Sequence, residues 1–180
     1  AIAVGILILS FVVVKMLYWI FSNVIRRLTS KTKTNLDDVL IDKLEKPLTY
    51  LVLILGYWIS IHYLVFNEEV ELVLENAAYF LLVIDVTAIL SRIVDALISE
   101  VIMPISEKSE SSFDNQLIPV IQKGVRSIIW ILGIIIGLDN IGFDITAMIA
   151  GLGIGGLALA LAAQDSVKNI FAGIMIFLDK

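Results

Sequence analysis

The side chains that could do chemistry in this sequence are few and far apart. Among 180 residues there is no cysteine and one histidine, His62, so disulfides, thiolate nucleophiles and a histidine-rich metal centre are excluded. No acid–base pair at catalytic spacing, metal-ligand cluster or nucleophile elbow occurs, and no enzyme, metal or cofactor is expected. Gly151-x-Gly153-x-x-Gly156 has the spacing of a dinucleotide fingerprint, but it lies inside an apolar run with no strand before it. Lys15 and Asp85 are the charges deepest in apolar surroundings. On an ion path they would be functional; otherwise Lys15 snorkels toward the inner face of the membrane and Asp85 pairs within a helix bundle. An interfacial polar contact is expected of His62.

The most informative spacing belongs to residues without reactive groups. Residues 144–163 hold four of the eleven glycines and six alanines. Glycine costs about 1 kcal/mol against alanine inside a helix, so a spanning helix with four of them needs close backbone approach to another helix. At about 100° per residue, Ala150, Leu157 and Leu161 share one face. Gly153, Gly156 and Ala160 form a smooth face on one side of it, and Gly151, Gly155, Ala158 and Ala162 another on the other side. A dimer through Gly151 and Gly155 would use one smooth face. A ring of identical copies would use both, with Leu157 and Leu161 facing the axis as a hydrophobic constriction that gates by dewetting. After Gln164-Asp165-Ser166, the positions Val167, Ile170, Phe171, Ile174 and Leu178 recur at helical spacing. They predict a separate amphipathic helix along the membrane interface, weakened in its middle by Gly173.

These residues need elements to hold them, and composition says what kind. Hydrophobic residues make up 59% and charged ones 17%, with mean hydropathy +0.96, which excludes an ordinary soluble domain. At roughly 20 residues per span the chain has room for five crossings at most. Five apolar stretches occur, near residues 1–25, 48–66, 72–103, 125–138 and 145–163. The loops at 67–71 and 139–144 have acids but no Lys or Arg, whereas the thirteen basic residues gather around the other connections. The positive-inside rule then puts the N-terminus outside and the C-terminus in the cytoplasm. The first residue is Ala1 and the last, Lys180, directly follows an apolar stretch, as in a fragment of a longer chain. The expected fold is an all-α membrane protein of about five transmembrane helices. Residues 1–143 would form four peripheral spans, and 144–180 the Gly/Ala-rich helix with its interfacial tail.

A shift of 77 positions superposes two segments. Asp37 meets Asp114, Leu40-Ile41 meets Leu117-Ile118, Lys46 meets Lys123, and Leu55-Gly56 meets Leu132-Gly133. Each copy has an acid suited to capping a helix, then an amphipathic segment and a span. A helical hairpin duplicated in parallel fits a peripheral sensor paddle. It also fits a secondary transporter, which would need a polar midplane site for which only Asp85 and Asn76 are available. A membrane anchor without permeation would leave the glycine faces unexplained.

In the run Ala150–Leu178, with its glycine–alanine ribs, Leu157 and Leu161 four apart, Gln164, Asn169 and Gly173, the sequence resembles the MscS family of small-conductance mechanosensitive channels, as a member with additional N-terminal spans. The resemblance covers about a sixth of the chain. It implies a homoheptamer in the plasma membrane, opened by tension on hypo-osmotic shock to release ions and small osmolytes. Leu157 and Leu161 would seal the pore, and Gln164, Asp165 and Gly173 would be bend points. Membrane lipids and permeating solutes would be its partners, nucleic acid would not, and a cytoplasmic domain absent from this chain would follow. The best-known members have Gly where this chain has Asp165, where a charge would tune conductance or engage the adjacent basic surface.

Overall fold

The computed structural model describes residues 2–20, 36–64, 66–104 and 112–178. Arg26, Arg27, Lys31, Lys33, Lys108 and Lys180, which carry much of the expected orientation, lie outside them, as do most of the polar runs before the repeated segments. Five α-helices form the described fold, without strands: α1 (Ile2–Ile20), α2 (Leu36–Ile61), α3 (Glu68–Leu97), α4 (Ser112–Asn140) and α5 (Thr146–Leu178). A π-helical turn, Ile98–Ile102, prolongs α3. Val39–Ile61, Leu117–Asn140 and Thr146–Ile176 are long and apolar enough to cross a membrane; they correspond to the second, fourth and fifth expected spans. The capping expected of Asp37 and Asp114 lies outside the described residues, since neither their side chains nor the residues before α2 and α4 are among them.

The chain divides into two compact units, Ala1–Phe143 and Asp144–Lys180. In the first, each helix packs on the next in sequence: α1 on α2, α2 on α3 and α3 on α4. The α2–α3 pair is antiparallel, since Lys43 meets Arg92 at one end and His62 meets Glu75 at the other. Likewise Asp95 meets Gln122, and Thr87 meets Gly133, across the antiparallel α3–α4 pair. Lying between two partners, α3 buries Ala78, Asp85, Thr87, Ser91 and Ala96.

Small residues set the helix spacing. A Cβ on Gly56 would run into the Ser10 side chain, one on Gly133 into Thr87, and one on Gly137 into the Phe80 ring at 2.9 Å. Ser10 and Thr87 are 77 residues apart, and so are Gly56 and Gly133. The hydroxyls behave alike as well. Ser10 Oγ donates to the Ile6 carbonyl at 2.8 Å and Thr87 Oγ1 to the Val83 carbonyl at 2.7 Å, acceptors separated by the same interval. Turning the hydroxyl proton back onto its own helix satisfies it where water is absent, and in both pairs the hydroxyl oxygen is the atom nearest the glycine opposite.

The connection after α4 is closed by backbone geometry. Gly142 has φ of +85°, its amide donates to the Asp139 carbonyl, and the Phe143 amide reaches the Leu138 carbonyl, both at 3.0 Å. This is a Schellman ending, which requires a left-handed residue and so favours glycine. At the start of the second unit, Asp144 Oδ1 accepts from the Thr146 amide at 2.9 Å. Hydrogen bonds from the Thr146 side chain and backbone hold the Asp144 carboxyl below its ordinary pKa of 3.8.

Two outcomes follow. Gly133→Ala pushes α4 off Thr87, at a cost of about 1–3 kcal/mol from overpacking; thermal unfolding in detergent should show a lower midpoint, partly recovered by adding Thr87→Ala. Because the folded pKa of Asp144 is depressed, its hold on Thr146 is complete above pH 3.8 and fades as pH falls through the folded value. The Thr146 amide resonance should therefore titrate only in acid, and not at all in Asp144→Asn.

Candidate functional site

The second unit consists of α5 and the residues flanking it. In α5 no residue of the apolar stretch Thr146–Ile176 is buried among the described residues of its unit. Leu157 and Leu161 are 63% and 61% exposed, and Leu159, on the opposite face, is 71% exposed. The glycines tell more. A Cβ on Gly151, Gly153, Gly155 or Gly156 would meet nothing within 4 Å, unlike one on Gly56, Gly133 or Gly137. Ala150, Ala158 and Ala160 are exposed too. Within this unit both smooth faces are therefore unoccupied among the described residues.

The expected break after Ala163 does not occur. The helix runs unbroken from Thr146 to Leu178, through Gln164, Asp165, Ser166 and Gly173, so the tail is a continuation rather than a separate helix. The physical reason lies in the residues: no proline interrupts the ladder, and one glycine weakens a helix by about 1 kcal/mol without ending it. Asp165 lies 3.5 Å from Lys168 on the next turn. Both side chains are well exposed, so the pair contributes little.

Polar side chains mark the ends of the helices in the first unit. At one end His62 Nε2 lies 3.2 Å from Glu75 Oε1, with Nδ1 3.2 Å from the Trp58 carbonyl; Asn76, Tyr79 and Asn140 line the same small pocket. At the other end Gln122 Nε2 donates to Asp95 Oδ1 at 3.0 Å, and Arg126 Nη1 sits 3.5 Å from Asp95 Oδ2. Asp85 is buried between them, and its Oδ2 has no hydrogen-bond partner among the described residues. The pairing expected of it within the bundle is thus not made at that oxygen. Arg92 lines the same groove of about 390 Å³ but donates to the Lys43 carbonyl at 2.8 Å. Sequence reasoning singled out His62 and Asp85 without their surroundings, and missed the Asp95 cluster and the Arg92 contact. Pro47 was the available signal for the latter.

Known proteins resemble the chain along most of its length. A family model described as "Mechanosensitive ion channel, transmembrane helices 2/3" matches residues 123–164, which covers most of α4 and α5 as far as Gln164. The small-conductance mechanosensitive channel MscMJ of Methanocaldococcus jannaschii is 34% identical over 161 residues, 89% of this chain and 46% of that protein. The large-conductance mechanosensitive channel MscMJLR of the same organism is 31% identical over 86% of this chain and 43% of its own. An uncharacterized MscS family protein of Bacillus subtilis, YhdY, is 29% identical over 99% of this chain and 48% of its own. The chain thus spans about half the length of these relatives. No solved structure matches it significantly. With several helices apolar enough to cross a bilayer and relatives of one kind along nearly its whole length, the chain is a multi-pass membrane protein and belongs to the MscS family.

Proposed function

We propose that this chain supplies the pore and the tension sensor of a mechanosensitive channel that opens on hypo-osmotic shock and releases ions and small osmolytes. The observation that carries the reading is α5 itself, an apolar helix whose two glycine faces are empty within its own unit among the described residues, in the stretch where the family model ends. Copies of α5 around an axis would fill both faces, Gly153, Gly156 and Ala160 of one copy meeting Gly151, Gly155 and Ala158 of the next. Ala150, Leu157 and Leu161 would then face the lumen, and two leucine rings one turn apart would exclude water. Seven copies are the expected number. Bends at Gln164-Asp165 and Gly173 would arise on assembly, where neighbouring copies and lipid give the second half of α5 something to bend against.

The first unit would be the sensor. The spacing of 77 shared by the Ser10–Gly56 and Thr87–Gly133 contacts supports a duplicated hairpin, set in the plasma membrane with the His62 end outside and the Asp95 end toward the cytoplasm. Tension favours whichever state occupies more membrane area, and a population shift requires that difference in free energy. A secondary transporter built on the same repeat has no support from the relatives, and neither has an enzyme.

Two measurements test the reading. Leu157→Ser or Leu161→Ser, in the full-length protein reconstituted in liposomes, hydrates the seal and should open at lower suction or leak at rest; unchanged gating in both would remove the leucines from the pore. Native mass spectrometry of the parent should give seven copies, and a monomer or dimer would exclude the ring.

A further inference from the structure

Pro47 stands inside α2 and is fully buried. Proline has no N–H, so the carbonyl four residues earlier, that of Lys43, loses its helical donor. Beside the buried Pro47 such a carbonyl is best satisfied by a donor from a neighbouring helix. The donor comes from the next helix instead, Arg92 Nη1 of α3 at 2.8 Å. Guanidinium stays protonated at any physiological pH and offers five N–H groups in a fixed fork, so it can serve as a permanent replacement for a missing amide. Lys43 is held a second time through its own ammonium, which lies 3.5 Å from Ser99 Oγ. Ser99 belongs to the π-helical turn that prolongs α3, and its hydroxyl donates to the Asp95 carbonyl at 2.7 Å. One residue of α2 is thus fastened to α3 through its backbone and its side chain, beside the one point where the α2 ladder lacks a bond.

We propose that Arg92 is a positioning residue for gating, a latch that stands in for the missing amide of Pro47 and holds the Leu36–Lys46 segment of α2 against α3. The proposal rests on the tension-gated reading given above. A proline leaves a helix free to bend about the unbonded carbonyl, and the Arg92 bond opposes that bend. Tension favours the arrangement of larger area, in which packed helices part. A hydrogen bond across the α2–α3 seam resists the parting, so the latch belongs to the closed state. Asp85 lies on the same groove as Arg92 and Pro47, which gives a competing explanation, in which Arg92 acts only as a counter-charge to Asp85. The two explanations separate at Pro47. Replacing it by alanine restores an amide donor for the Lys43 carbonyl and makes the guanidinium redundant as a donor, while leaving its charge in place.

The test is a double-mutant cycle in the full-length protein: parent, Arg92→Met, Pro47→Ala and the pair, with Arg92→Lys as a variant that keeps charge and a donor. Each is reconstituted for patch recording under graded suction, and each is unfolded thermally in detergent. With Pro47 in place, Arg92→Met should open at lower suction and melt a few degrees lower, and Arg92→Lys should lie between it and the parent. Combined with Pro47→Ala, the same Arg92→Met substitution should lose most of both effects. Equal effects of Arg92→Met with and without Pro47→Ala, or a higher threshold with Pro47 in place, would overturn the latch and leave tension gating intact. A parent silent at every suction would sink tension gating itself, and the thermal cycle would still decide whether Arg92 replaces the amide missing at Pro47.

Discussion

In an apolar surrounding every backbone and side-chain polar group must find its partner within the chain, and most of this structure follows from that constraint. All five elements are helices, because a helix bonds its own backbone. Buried hydroxyls such as Ser10, Ser60 and Thr87 turn to the carbonyl one turn back. Where α4 ends, the Gly142 and Phe143 amides close the last carbonyls, and where α5 begins Asp144 takes a free amide. The one place in α2 where the ladder must fail, at Pro47, is met from outside by Arg92.

With hydrogen bonds settled locally, side-chain size decides how the helices come together. Helices in lipid gain no hydrophobic drive from meeting one another, so contact has to come from close packing. The first unit satisfies this internally. Gly56, Gly133 and Gly137 each receive a side chain from the neighbouring helix. Within the second unit, glycines of the same kind have nothing against them among the described residues. Gly56, Gly133 and Gly137 are thus close-contact positions, whereas Gly151, Gly153, Gly155 and Gly156 are open among the described residues.

Much of this could be read before any coordinates. Helix content, the apolar runs, the two smooth faces of α5 and the 77-residue interval are periodic features of the residue types themselves. The interval was visible at Leu55-Gly56 and Leu132-Gly133, yet its structural meaning was not, because Ser10 and Thr87 become partners of those glycines only when the helices are placed side by side. Gln164-Asp165-Ser166 reads as a boundary by polarity, whereas α5 continues through it because a helix ends only where its backbone bonds do. Asp85 Oδ2 has no hydrogen-bond partner among the described residues, because sequence gives no account of which way a neighbouring arginine turns.

What the sequence alone determined is what each residue contributes by its own covalent nature: an all-helical chain, a glycine-ribbed helix with two leucines on one face, and a resemblance to MscS channels concentrated there. What only the tertiary structure decided is which distant groups satisfy each other. Arg92 on the Lys43 carbonyl, Asp95 between Gln122 and Arg126, and His62 beside Glu75 all join residues from different helices. Spacing along a helix fixes the direction of a side chain to within a turn, but a hydrogen bond between helices depends on their separation and rotation. Those are set by the summed packing of many small contacts, which no local pattern encodes.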